Sequence, residues 1–250
     1  SSDPRRPQVV IGDVEELRAE FEPQLNAIGI RSIWKMVDPV DSCNIMPEHW
    51  DVMARVIREN YAVSSGFVIL HGTDTMVYTA SALSFKLLGL TKPIVLTGAQ
   101  QSSFVSKVND ATQNVLRAAR LAQPMVSRIP VIPEVVVAFG GIAIRGNRAY
   151  KRDAEGDVAY GSANIAPLAT LGAAKIKVNE ALLGSELAID VPLQVVPTRG
   201  RIVTVFIHPG LDDSTLRRSL GLNSGELPDA VIVLSYGSGN IPTREAFLSP

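Results

Sequence analysis

Apolar residues along this chain gather into short, unbroken runs, each closed by glycine or a small polar residue. The runs are GFVILHG (66–72), PIVLTG (93–98), PEVVVAFGG (133–141), RIVTVFIHPG (201–210) and AVIVLSYGSG (230–239). A strand with one wet face would alternate apolar with polar. Continuous β-branched runs instead predict strands covered on both faces, as in a parallel sheet. Between the runs the apolar spacing turns helical. Asp13 leads into VEELRAEF with Glu16 in the capping-box place, and Pro47 and Glu48 open EHWDVMARVIREN. Thr75 leads into MVYTASALSFKLLG, and Asn109 or Asp110 into ATQNVLRAARLA.

Strand and helix thus alternate at the spacing of βαβ units, which predicts an α/β fold with a mainly parallel, doubly wound, flavodoxin-like sheet. Residues 153–200 break the pattern. DAEGDVAYGSANIAPLATLG (153–172) is rich in Gly, Ala and Ser, and VPLQVVPTRG (191–200) carries two prolines. This stretch reads as a long connection to a second region beginning near 200. The expected organisation is a larger α/β domain over 1–190, then a linker and the start of a smaller α/β domain over 191–250.

Composition narrows the function classes. Of the 250 residues 46% are hydrophobic and 20% charged, the balance of a packed globular protein. The net charge of -1 gives no electrostatic case for a nucleic-acid or anionic-membrane partner. Arg145, Arg148, Lys151 and Arg152 cluster, but by composition alone such a patch reads as a solvated loop. Cys43 is the only cysteine, which excludes an internal disulfide and a cysteine-rich metal site and fits a reducing compartment. No apolar run approaches the ~20 residues of a membrane-spanning helix.

Ligands of open α/β sheets bind beyond the carboxyl ends of the strands. His71, Gly72, Thr73 and Asp74 follow the first run, Thr97, Gly98, Ala99 and Gln100 the second, and Ser235, Tyr236, Gly237 and Ser238 the last. Glycines and small polar groups there let a ligand approach the backbone and meet several donors. One of Thr73, Asp74 and Thr75 would suffice as a helix N-cap. That plain alternative leaves two more polar groups and a histidine without a role.

HGTDTMVYTASALSF (71–85) resembles, nearly residue for residue, the second signature of the bacterial-type L-asparaginase family. TGAQ (97–100), RGNRAYK (145–151), DSCNIMPEHW (41–50) and SYGSGN (235–240) are similar to further segments of that family, in the same order. The likeness covers residues 8 to 250 and is nearest the cytoplasmic type I branch. It implies an amidohydrolase that releases ammonia from L-asparagine without metal or organic cofactor. Thr73, Lys151 and Asp74 match its threonine–lysine–aspartate relay. Asp41, Ser42 and Cys43 match its substrate-carboxylate loop, with Ser42 on the carboxylate. Gly72, Thr73 and Asp74 would also line the substrate site, with Asp74 near the substrate's α-amino group. Ala99 would offer its carbonyl to the side-chain amide. The resemblance further implies a homodimer or homotetramer in the cytoplasm.

The chain also departs from that family. Its TGGTI-like first motif, which supplies a second threonine, has no counterpart here, and the smaller domain stops at AFLSP (246–250). A longer protein, incomplete here at both ends, is the expectation. Asn109, Asp110 and Ala111 stand in Ser-Asp-Gly slots, and Cys43 replaces another polar residue. A thiol nucleophile at Cys43 would need a neighbouring base, and no histidine falls in a matched position. Two rivals stand beside the amidohydrolase: an asparaginase-like subunit of a tRNA-dependent amidotransferase, and a non-catalytic amino-acid-binding homologue.

Overall fold

The computed structural model describes residues 13–100, 110–183 and 192–243, apart from positions 155, 157, 174, 198, 199 and 223. The stretches QSSFVSKVN (101–109) and AFLSP (246–250) lie outside the described residues. After Pro197 the chain divides into two compact units.

The first unit opens with α1 (Val14–Ala27), whose start has a physical cause. Asp13 accepts from the Glu15 amide, and Glu16 reaches back to the Asp13 amide, completing the capping box. A 3-10 turn (Ser42–Asn44) precedes α2 (Pro47–Asn60), which starts with proline at a position where no amide is needed. Then come β1 (Phe67–Leu70), α3 (Met76–Lys86), β2 (Leu87–Leu88), β3 (Ile94–Thr97), α4 (Ala111–Ala122) and the single turn α5 (Pro124–Ser127). They are followed by β4 (Val135–Phe139), β5 (Ile142–Arg145), β6 (Ala149–Lys151), β7 (Tyr160–Ser162), β8 (Ala169–Leu171), β9 (Ile176–Val178) and β10 (Gln194–Val195).

Six of these strands form one sheet in the order β1-β3-β4-β5-β8-β9. The pairs β1/β3 and β3/β4 are parallel, with Leu70 opposite Thr97 and Ile94 opposite Val135. The pairs β4/β5, β5/β8 and β8/β9 are antiparallel. Side chains of successive residues point to opposite faces, and both faces are covered. Ile94, Leu96, Val135, Val137 and Phe139 pack with Met53 and Ile57 of α2 and Met76 and Leu83 of α3. Val95, Val136 and Ala138 pack with Ala118, Leu121 and Ala122 of α4 on the other side. α1 lies outside α4, where Phe21 and Leu25 meet Ala111 and Val115. Such two-sided burial is why the central runs lack alternation.

The stretch expected as one long connection instead holds β7, β8 and β9, and β10 beyond them. Each is two or three residues long, too short for a period to register in sequence. β5 and β6 were likewise not anticipated. They hang on sharp turns at Gly140-Gly141, both at positive φ, and at the 3-10 turn Gly146–Arg148. Among the described residues, no helix is long and apolar enough to cross a membrane.

In the second unit β11 (Ile202–Phe206) and β12 (Ala230–Leu234) pair in parallel, joined through α6 (Asp213–Ser219). Asp212 caps that helix. It accepts from the Ser214 hydroxyl and from both the amide and the hydroxyl of Thr215, and these bonds hold its pKa at about 2. Val205, Ile207 and Leu211 form the small core of this unit.

Candidate functional site

The carboxyl ends of β1, β3 and β4 carry a connected set of polar contacts. β1 stops at Leu70, and the His71 amide still donates to the Thr97 carbonyl at 2.8 Å. Then the chain turns, and Thr73 and Asp74 precede α3. The cap alternative fails here. Thr75 occupies the cap position of α3, yet no side chain there bonds a helix amide. Its hydroxyl donates instead to the Ser42 carbonyl at 2.6 Å, across to the turn before α2.

Lys151 arrives from the opposite side. β5 folds back antiparallel on β4, and the turn at Gly146 then sends the chain across α3. A Cβ at Gly146 would lie within 3.0 Å of the Ser84 hydroxyl and the Val135 and Ala80 carbonyls, so only glycine permits this approach. The next residues form β6, paired antiparallel with β7. The Lys151 ammonium ends 3.1 Å from Thr73 Oγ1 and 2.9 Å from Asp74 Oδ1, donating to both. Its side chain is 19% exposed and that of Asp74 65%. An ion pair so open to water contributes only about 0–1 kcal/mol to stability. The contact is therefore poorly explained as a fold-stabilising device.

The Asp41–Cys43 turn stands beside this group. Asp41 accepts from the Cys43 amide at 3.1 Å and starts the 3-10 turn. Ser42 is buried, and a Cβ on Gly72 would fall 2.5 Å from its hydroxyl oxygen and 2.7 Å from its Cβ. Glycine at 72 is what lets turn and strand end touch. The Cys43 thiol is raised in pKa, first by its hydrogen bond to Asp41 and also by the charges of Asp41 and Asp74. It stays protonated at neutral pH, which removes the thiolate a cysteine nucleophile requires.

Ala99 lies two residues beyond β3, the parallel neighbour of β1. Its surroundings are fixed by Asn114 and Asp110. The Asn114 amide nitrogen donates to the Gly98 carbonyl at 3.0 Å and to Asp110 Oδ2 at 3.0 Å, and its oxygen accepts from the Gly140 amide at 3.3 Å. Both oxygens of Asp110 lie 3.1 Å from the Gln100 amide nitrogen. Asp110 holds the cap position of α4 without bonding a helix amide, because its carboxylate is turned to this loop. Gln100 in turn donates to the Ala154 carbonyl at 3.0 Å.

His71, which sequence reasoning left without a role, is part of a half-buried chain of hydrogen bonds. Nδ1 lies 2.7 Å from the Gly72 carbonyl, which can only accept, so Nδ1 carries the proton. Nε2 then accepts from the Thr79 hydroxyl at 2.9 Å, and Trp50 Nε1 donates to the same hydroxyl at 3.0 Å. Burial lowers the His71 pKa and keeps the ring neutral, as this network requires. The chain links α2, α3 and the end of β1. Tyr160 was also missed. Its hydroxyl donates to the Thr73 carbonyl at 2.5 Å from within a stretch taken for a linker. The one signal for it in the sequence is a lone aromatic residue in AYGSAN.

Comparison with known proteins agrees with this architecture. The family model described as "Asparaginase, N-terminal" matches residues 5–183. L-asparaginase 1 of Escherichia coli K12 is 38% identical over 211 residues, covering 84% of this chain and 58% of that protein. The 60 kDa lysophospholipase of Mus musculus is 36% identical over 214 residues, which are 83% of this chain and 35% of the longer relative. The crystal structure of L-asparaginase I from Vibrio cholerae superposes with a TM-score of 0.81 at 31% identity, over 96% of this chain and 70% of that one. The fold and site thus define an α/β protein of the asparaginase class. The chain belongs to the asparaginase family, and it spans 58% of the length of its E. coli relative.

The neutral state of His71 has a measurable consequence. An unfolded chain takes up a proton at histidine near pH ~6.5, whereas the folded chain does so only at lower pH. Between those values the unfolded state binds more protons, so stability falls as pH drops below ~6.5. His71→Gln should flatten that part of a plot of Tm against pH. A slope unchanged by the substitution would show that His71 is not the titrating group.

Proposed function

We propose that this chain is the larger part of an L-asparaginase, an amidohydrolase that converts L-asparagine to L-aspartate and ammonia. The observation that carries the reading is the Lys151 ammonium held at once by Thr73 Oγ1 and Asp74 Oδ1, at 3.1 Å and 2.9 Å. A threonine hydroxyl is a poor nucleophile and a poor proton donor until a partner takes or supplies its proton. The Lys151 ammonium lies within hydrogen-bond reach of the Thr73 hydroxyl and is the group that can do so.

In this reading the Lys151 ammonium gives a proton through the Thr73 hydroxyl to the departing nitrogen as water adds to the amide carbon. The C–N bond breaks and ammonia leaves. The proton that the attacking water releases restores the ammonium, and the acyl carbon keeps the water oxygen as the carboxylic acid. Asp74 steadies Lys151 through Oδ1, and its exposed carboxylate is placed to meet the substrate's α-amino group. Ser42, in the turn touching Gly72, binds the α-carboxylate together with amides of the Asp41–Cys43 turn. The Ala99 carbonyl accepts from the side-chain amide. The family membership and the named L-asparaginase relatives support this substrate.

We also propose a homo-oligomer, homodimer or homotetramer. On the outer face of α3, Tyr78 and Phe85 are 64% and 65% exposed. Large aromatic side chains this open at the same helical face suit cover by another subunit. A cytoplasmic location goes with the same reading.

Three measurements test it. Thr73→Val should lower the kcat of ammonia release about 10³-fold or more, Lys151→Met nearly as much, and the double variant scarcely further, because the groups act as one unit. Additive losses, or a fully active Lys151→Met enzyme, would end the relay. Ser42→Ala should raise KM by about 10- to 100-fold, the loss of one hydrogen bond to a charged group. An unchanged KM with a collapsed kcat would assign Ser42 a different role. Light scattering at micromolar concentration should give a multiple of the subunit mass, and a monomer mass alone would refute the assembly.

A further inference from the structure

We propose that Tyr160 is a positioning residue that holds Thr73 and Lys151 in register. The proposal rests on the amidohydrolase reading and goes one step past it. Thr73 and Lys151 are 78 residues apart in sequence and sit on different parts of the unit, one at the end of β1 and one on the β6–β7 hairpin. Something must fix the hairpin against the strand end, because an exposed ion pair is too weak to do so.

Tyr160 meets that need from both sides. On its own hairpin it stands directly across from Lys151, paired with it in the β6–β7 register. Cross-strand neighbours of this kind are separated by only about 5 Å at Cβ. Toward the strand end, its hydroxyl donates to the Thr73 carbonyl at 2.5 Å. That carbonyl belongs to the peptide joining Thr73 to Asp74, so the bond fixes the plane from which both side chains spring. The ring is 1% exposed and belongs to the core cluster of Met53, Met76 and Leu83 as well as Phe139, whose ring it meets edge-to-face at 5.0 Å, so its place does not hang on one contact. Burial pushes the phenol pKa well above its usual value, so the hydroxyl remains a donor throughout the working pH range.

The role is positional, since Tyr160 reaches the relay only through the Thr73 backbone. Its loss should slow the chemistry without weakening ground-state binding. Displacements of an ångström at a reacting group can cost about 100-fold in rate.

The test is Tyr160→Phe in the full-length protein, which keeps the ring and its packing and removes one hydroxyl. The kcat for ammonia release should fall about 10- to 100-fold, with KM within about twofold of the parent and Tm lower by about 2–4 °C. Combined with Thr73→Val, it should add no further loss of kcat. Phe139→Leu serves as control: it loosens the same packing yet leaves the hydroxyl, and should lower Tm without lowering kcat. The proposal is overturned if Tyr160→Phe loses stability but keeps full kcat. It is overturned equally if the Phe139 and Tyr160 variants lose kcat in proportion to Tm, or if the loss adds to that of Thr73→Val. A parent protein that releases no ammonia from L-asparagine would instead refute the amidohydrolase reading itself, and an active Thr73→Val enzyme would refute the relay, so the failures are distinguishable.

Discussion

One ammonium group with two acceptors governs this architecture. Lys151 Nζ donates to Thr73 and to Asp74, two neighbours that lie 78 and 77 residues before it in sequence. Contacts between exposed charges do not hold a fold together. The geometry must therefore be imposed by what lies behind it. Gly146 lets the chain cross α3 closely enough to aim β6 at the end of β1. The antiparallel pairing of β6 with β7 brings Tyr160 alongside, and its buried hydroxyl closes on the Thr73 carbonyl. Strand pairing and one buried hydrogen bond supply what the ion pair lacks.

The same economy rules the other edges of the site. Several polar groups there have partners of fixed direction. Asn114 joins the ends of β3 and β4 by donating to Gly98 and accepting from Gly140. Trp50, Thr79 and His71 run a single directed chain of hydrogen bonds from α2 to the Gly72 carbonyl. Buried networks of this kind are costly when half satisfied and rigid when complete. A rigid surround suits a site in which dipoles must be aimed before the reaction starts.

How much of this was legible in the sequence follows from the same physics. The strands covered on both faces announced themselves, since FVIL, IVLT and VVVAF carry no alternation to confuse them. The helix starts at Asp13, Pro47, Thr75 and Asp110 were legible as well, although Thr75 and Asp110 spend their side chains on neighbouring loops. The short strands β5 to β9 were not, because three or four residues hardly show a period and their pairing depends on turns. Of the candidate site, Thr73 and Asp74 stood out by their place at a strand's carboxyl end, whereas Lys151 was recognisable through resemblance alone; composition read it as a solvated surface charge. Tyr160 and Asn114 stayed hidden. Their importance lies in backbone groups they bond across long sequence separations, and no local pattern records that.

The central claim is that Lys151 answers to Thr73 and Asp74 as one unit. Nuclear magnetic resonance of lysine side chains labelled with 13C and 15N in the full-length protein reads this directly. The Lys151 resonance should stand apart from those of exposed lysines, shift when either the Thr73 hydroxyl or the Asp74 carboxylate is removed, and shift again when L-aspartate is added. A Lys151 signal at the free-lysine position, unmoved by both substitutions and by the ligand, would contradict the account.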